Sequence, residues 1–201
     1  MRNLNKKTYS EIVKKLLPFF IKAGKKSIAL SGEKLKIFTK SDQTPVSNGD
    51  LAVDKILQDA IRAITPTIEI VSEETIETNK VGTRTTFWLI DPIDGTSSYI
   101  KNKDEYTLNA ALIVNKKPVI GIVFAPKKKR LFYSYGKGHA YEIRNKKKIK
   151  LQCNSIKKKS ISALVTSSKP SKIIKRILSK HKATKFLDVR SSYKFCLIAS
   201  G

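Results

Sequence analysis

The chain has 201 residues, of which 41 are Lys or Arg and 16 are Asp or Glu, giving a formal charge of +25, and 40% of it is apolar. That length and apolar share suffice for a buried core and exclude a disordered or fibrous chain. It lacks a run of about 18 apolar residues that would span a bilayer, so no transmembrane segment is predicted. The apolar run Leu16 to Ile21 is short, carries Pro18 and has no small-residue cleavage site, and a soluble, unprocessed protein is expected. Cys153 and Cys196 lie far apart without metal-ligand spacing, so neither a zinc site nor a disulfide framework is expected. The cytoplasm is the natural compartment, and the positive charge also suits peripheral contact with the inner face of a membrane.

In chain order, residues 8–31 place Ile12, Val13, Leu16, Leu17, Phe20 and Ile21 at helical spacing, with a kink expected at Pro18. Residues Lys40 to Gly49 read as turn chemistry, and Asp50 opens a second helical pattern that runs through Leu57 and Ile64 and ends at Pro66. An Asp at such a start serves first as a cap or dipole partner. Ile68 to Val71 is β-like and ends in Ser72-Glu73-Glu74. Those acids either face solvent or face the carboxylates that follow, and the sequence leaves both open.

Phe87 to Ile90 is an apolar run of strand length followed by Asp91-Pro92-Ile93-Asp94-Gly95-Thr96-Ser97. Proline lacks the N–H of a continuing central strand, so the strand is expected to end there, with the chain turning where the acids sit. Two carboxylates in one turn suit a hard cation such as Mg²⁺, which takes oxygen ligands. Gly95 permits close approach of a ligand, and a helix starting at Thr96 to Ser98 would present its N–H groups to an anion. The same residues also fit an ordinary Asp-rich turn that caps a helix.

Tyr106 to Val114, Val119 to Phe124, Leu131 to Tyr135, Ala140 to Arg144 and Ile149 to Leu151 then read as an antiparallel meander, with Asn115 to Pro118 as a hairpin connection. The basic runs Lys127 to Arg130, Lys146 to Lys148 and Lys157 to Lys159 fall between strands and read as solvated tips. Without interleaved aromatics they mark no specific nucleic-acid partner, and that reading would rest on charge alone. From Ser160 the pattern becomes strand, helix, strand, helix, the start of an α/β layer. His139 and His181 stand in no catalytic or ligand spacing.

Five segments, Lys40 to Asp54, Ser72-Glu73-Glu74, Trp88 to Thr96, Tyr106 to Leu112 and Ser191 to Gly201, together resemble the inositol monophosphatase superfamily. Within it, Ser191-Ser192-Tyr193-Lys194-Phe195-Cys196-Leu197 resembles the CysQ-type 3′(2′),5′-bisphosphate nucleotidase branch. The resemblance implies an α+β fold of the layered α/β sandwich type seen in inositol and sugar phosphatases. An antiparallel sheet with two helices would span residues 1–155, and a partial α/β subdomain residues 156–201. It also implies Mg²⁺-dependent hydrolysis of adenosine 3′,5′-bisphosphate to AMP and phosphate, as in sulfur assimilation, in a homodimer.

By the same resemblance, Glu73, Asp91, Asp94 and the carbonyl of Ile93 are metal ligands, and Asp50 and Thr96 position and activate the attacking water. Gly95, Thr96, Ser97, Ser192 and Lys194 are substrate contacts. The family's later W-D-x-A-A-G segment, which brings another metal carboxylate, does not occur in these 201 residues, so a site short of one ligand is expected. Arg190 replaces the usual Gly, Lys169 a frequent His, and Ser97-Ser98 the usual Lys-Glu. The alternatives are an inactive truncated remnant or a phosphatase of another substrate within the same superfamily.

Overall fold

The computed structural model describes residues 6–40, 42–75, 84–153, 161–167 and 169–201. The expected 155/156 boundary and the Lys157 to Lys159 run lie outside them. Helix α1 (Lys6–Leu30) continues through Pro18, whose ring sits on the exposed side. Its buried residues Ile12, Val13, Leu16, Phe20, Ala23, Gly24 and Ser27 form one stripe at helical spacing. Strands β1 (Ile37–Thr39) and β2 (Pro45–Ser47) pair as a short hairpin, so the segment read as turn chemistry is a hairpin whose tip alone is turn. Helix α2 (Asn48–Ile64) starts in a capping box: Ser47 accepts from the amides of Gly49 and Asp50, while the Asp50 carboxylate accepts from the Ser47 amide.

Seven strands then form one sheet in sequence order: β3 (Ile70–Ser72), β4 (Phe87–Asp94), β5 (Thr107–Val114), β6 (Lys117–Ala125), β7 (Arg130–Ser134), β8 (Ala140–Arg144) and β9 (Lys147–Lys150). All neighbours are antiparallel except β3 and β4, which run parallel. The meander is therefore as expected, and β3 makes the sheet mixed. The hairpin turns Asn115-Lys116 and Asn145-Lys146 hold both residues at positive φ, from 50° to 62°, the geometry that matches strand twist in two-residue hairpins. Pro118 lies inside β6, opposite Ile113 at a register shift, so the connection is shorter than predicted.

Strand β4 corrects the expectation that the chain leaves the sheet at Pro92. It continues to Asp94, with a register shift between the pairs Asp91↔Asn109 and Asp94↔Thr107. Pro92 and Ile93 fall in that irregularity, where ladder bonds are interrupted, so the missing N–H costs little. Helix α3 (Thr96–Ile100) follows directly.

One face of the sheet packs against α1 and α2 through a core that includes Leu16, Phe20, Leu57, Ile61, Trp88, Ile90, Leu108 and Leu112. The other face carries a smaller cluster of Ala125, Phe132, Val189, Tyr193 and Cys196. Strands β10 (Ile161–Val165) and β11 (Ala183–Asp188) pair in parallel across α4 (Lys172–Lys180), as the strand–helix–strand pattern predicts. Helix α5 (Tyr193–Ser200) ends the chain and lies on that second face. Arg130, read as part of a solvated tip, instead forks onto the buried Glu142 at 2.5 and 3.0 Å and donates to the Tyr193 hydroxyl at 2.7 Å. Its neighbours Phe132 and Glu142 occupy the face that α5 covers, which explains why this cation in the basic run is recruited inward.

Candidate active site at the ends of β3 and β4

Because β3 and β4 are parallel, their C-terminal ends lie side by side, and the acids that follow meet there. The amide of Glu73 donates to the Ile90 carbonyl at 3.0 Å, one step beyond the last ladder pair. This places Glu73 beside Asp91. The Asp91 carboxyl is pushed up to about 8, first by burial, then by the charges of Glu73 and Asp94, and its Oδ1 is buried without a hydrogen-bond partner. A buried carboxylate oxygen with no donor and two acidic neighbours is what a cation would satisfy.

The Asp94 carboxylate accepts the amide of Ser192, 98 residues away in sequence. The Ser192 hydroxyl lies 3.0 Å from Asn109 Oδ1 and 2.8 Å from Thr107 Oγ1, the two residues paired with Asp91 and Asp94 across the β4–β5 ladder. Gly95 is left-handed at φ 94°, and a Cβ there would stand 2.9 Å from the Glu105 carbonyl. No other residue type fits that turn without strain. Past it, Tyr99 is buried: its hydroxyl donates to the Ser27 carbonyl at 2.7 Å, and its ring meets Tyr106 edge-on at 4.9 Å. That anchor fixes α3, and with it the backbone of Gly95, Thr96 and Ser97.

Around this turn stand Asp50, Asp54 and Glu74, each with its carboxyl raised primarily by burial. Lys40, at the β1–β2 hairpin, answers them: its ammonium is 2.9 Å from Glu74 and 4.0 Å from Glu73. Asp54 is held by Ser72 Oγ at 2.5 Å and Gln58 Nε2 at 2.7 Å. A chain with only 16 acidic residues thus sets Asp50, Asp54, Glu73 and Glu74 about one lysine, with Asp91 next to Glu73 and Asp94. Repulsion on this scale in a protein of charge +25 is a cost that folding alone gives no reason to retain.

Known proteins share this fold. The family model for the inositol monophosphatase family matches residues 6–201. The chain belongs to the inositol monophosphatase family. The 3′(2′),5′-bisphosphate nucleotidase CysQ of Salmonella typhimurium is 35% identical over 164 residues, covering 81% of this chain and 65% of that protein. The crystal structure of CysQ from Bacteroides thetaiotaomicron is 25% identical with a TM-score of 0.69, covering 96% of this chain and 77% of that one. An IMPase/NADP phosphatase crystallised with Mg²⁺ and phosphate is 18% identical with a TM-score of 0.73, over 92% and 69% of the two chains, a likeness of fold. The chain spans about two thirds of the length of the curated relatives it matches.

Within this inositol monophosphatase fold, Glu73 and Asp94 both lie close to Asp91, while Asp50 and Thr96 bond to Ser47 and to the Ile93 carbonyl. Asp50 Oδ2 accepts from the Ser47 amide at 2.9 Å and hydroxyl at 2.5 Å, the capping role its position suggested. Thr96 Oγ1 donates to the Ile93 carbonyl at 3.1 Å, which leaves that oxygen one lone pair for a metal. Ser97 is exposed on the first turn of α3. Lys194 donates to the Ser191 carbonyl at 3.1 Å and stands over the Phe195 ring.

Among the described residues, no three acidic, His or Cys side chains close tightly enough to enclose an ion by themselves. Glu73 is the open member, its side chain 56% exposed. The donors at hand are carboxylates and a carbonyl, a hard oxygen set that fits Mg²⁺ and has no soft ligand. Cys196 is no nucleophile, for burial pushes its thiol up to about 12. Sequence reasoning missed Lys40, Thr107 and Asn109 as parts of the site. All three lie within the segments Lys40 to Asp54 and Tyr106 to Leu112, but only the β4–β5 register shows that Thr107 and Asn109 stand opposite the two acids.

Proposed function

We propose that this chain is a Mg²⁺-dependent phosphomonoesterase whose substrate is a 3′(2′),5′-bisphosphate nucleotide, adenosine 3′,5′-bisphosphate in the first instance. The observation that carries the reading is the unpartnered, buried Asp91 Oδ1 between Glu73 and Asp94, at the turn that leads into Gly95-Thr96. Glu73, Asp91, Asp94 and the Ile93 carbonyl would hold the metal. A bound Mg²⁺ supplies charge stabilisation to the phosphoryl oxygens as the ester bond breaks.

The chain's own groups do the rest. The backbone amides of Gly95, Thr96 and Ser97 orient the phosphate beside the acids. Asp50, whose carboxyl burial already raises, is the base that the resemblance assigns to the attacking water, with Thr96 as its partner; in the structure Asp50 accepts from Ser47 and Thr96 donates to the Ile93 carbonyl. Lys40 lies 2.9 Å from Glu74 and opposes the upward push that burial gives its carboxyl. The surrounding positive field draws anionic substrates toward the site. The nucleotide branch is supported by the CysQ relatives and by the segment Ser191 to Leu197.

The test is phosphate release by the purified chain from adenosine 3′,5′-bisphosphate, NADP and inositol 1-phosphate, with Mg²⁺ and with EDTA. Metal-dependent release from the bisphosphate in preference to the others is expected. Release from inositol 1-phosphate alone would reassign the substrate, and no release from any of them would overturn the reading.

A further inference from the structure

The strongest unexplained feature is how completely the protein itself uses Ser192, a residue that the resemblance treats as a substrate contact. Its amide donates to Asp94, and its hydroxyl is shared by Asn109 and Thr107. Asn109 and Thr107 are the ladder partners of the two acids of the turn. Its neighbour Ser191 is fully buried, and the Ser191 Cβ lies 3.6 Å from where a Cβ on Gly95 would stand. The two serines therefore roof the acid turn, from an element that enters the fold about a hundred residues later.

The same element is tied down at its far side. Arg130 donates to the Tyr193 hydroxyl at 2.7 Å and its guanidinium lies 5.5 Å from that ring's centroid, while Cys196 and Val189 pack on Ala125 and Phe132. Docking of α5 onto the sheet thus presents the Ser192 amide to Asp94. An N–H donated to one carboxylate oxygen restrains the rotation of the group and leaves its other oxygen free of that bond.

We propose that Ser192 is a positioning residue for Asp94 rather than a substrate ligand, so that metal affinity depends on the docking of α5. This rests on the metal site proposed above. The hydroxyl contributes by bracing Asn109 and Thr107, and the amide by orienting the carboxylate. Groups of this kind behind a metal ligand typically change metal affinity by about 10- to 100-fold when removed.

Ser192, the N-cap of α5, has φ −59°, a value proline adopts, so Ser192→Pro removes the amide donor, and Ser192→Ala removes only the hydroxyl. Calorimetric titration with Mg²⁺ alone is expected to show affinity roughly 10- to 100-fold weaker in Ser192→Pro and only a few-fold weaker in Ser192→Ala. Thermal unfolding in EDTA should be little changed in both. In turnover, a positioning role raises the Mg²⁺ concentration for half-maximal rate while KM for the nucleotide at saturating Mg²⁺ stays constant. A substrate-ligand role gives the reverse, and would overturn the proposal.

Should Ser192→Pro fail to fold, amide hydrogen exchange in the metal-free protein decides. Protection of the Ser192 amide that is lost in Asp94→Ala, with α5 otherwise protected, supports the clamp. Fast exchange of that amide in the unaltered chain overturns it. Equal Mg²⁺ affinity in the unaltered chain and Ser192→Pro also overturns it and leaves the phosphatase reading intact. Tight Mg²⁺ binding that weakens in Ser192→Pro, with no phosphate released from any ester, supports the clamp and overturns the phosphatase reading.

Discussion

Replacing Asp91 with Asn removes one charge from the most crowded point of the acid cluster while keeping the side chain's shape. In the folded protein the Asp91 carboxyl keeps its proton up to about pH 8, whereas in the unfolded chain it releases it near the ordinary 3.8. Between those values the folded state binds more protons than the unfolded, so stability falls as pH rises, and the full penalty is present above about pH 8. Four pH units at about 1.4 kcal/mol each set a ceiling of roughly 6 kcal/mol. The neighbouring Glu73 is 56% exposed, which screens part of this, and about 1–3 kcal/mol is the reasonable expectation for the substitution. Asp91→Asn should therefore be more stable than the unaltered chain at pH 8 in EDTA, and equal to it near pH 4. Urea unfolding at the two pH values reads this directly. Millimolar Mg²⁺ should stabilise the unaltered chain and leave Asp91→Asn unmoved, because only a state that binds the ion gains from it. Loss of stability in Asp91→Asn at pH 8, or an unchanged pH slope, would refute the electrostatic reading of the site.

Two further outcomes follow from the packing. Arg130→Ala leaves the Glu142 carboxylate, 4% exposed, without its fork, and should cost about 3–5 kcal/mol in urea unfolding. Arg130→Met combined with Glu142→Leu should recover much of that loss, since no charge is then left buried and unpaired. Gly49→Ala places a Cβ 2.3 Å from the Tyr99 hydroxyl and 2.5 Å from its ring, and both partners are fixed by hydrogen bonds. It should cost about 1–3 kcal/mol and, by displacing α3, lower phosphate release more than stability; a neutral Gly49→Ala would mean that Tyr99 does not anchor the turn.

What could be read in the sequence was set by periodicity and by turn chemistry. The stripe from Ile12 to Phe20, the alternation along β5 to β8 and the Ser47 to Asp50 helix start are local signals, and each element stands where its pattern puts it. The β1–β2 hairpin was hidden because strands of three residues leave no periodicity to detect. Arg130 looked like a member of a basic tip because nothing local marks the buried Glu142, twelve residues on, as its partner. Likewise the acids of the site were visible as residue types, whereas the direction of Glu73 toward Asp91 depends on β3 lying parallel to β4. That pairing joins segments whose adjacency no sequence pattern announces.

The irregularity at Pro92 and Ile93 has a consequence for the count of residues between the two acids. In a regular strand, residues three apart point to opposite faces of the sheet, so Asp91 and Asp94 would be separated by the sheet itself. Their partners, Asn109 and Thr107, are two apart and share a face. One extra residue on β4 reconciles the odd spacing with the even one and brings both carboxylates to the side that Ser192 roofs. Deleting Pro92 or Ile93 would keep every acid and every core residue up to Ile90, and would restore an even ladder. Asp91 and Asp94 would then stand two apart and still share a face, whereas pairing the full-length strand in regular register would turn Asp94 through the sheet, so the site is written as much in the parity of the strand as in the acids it carries.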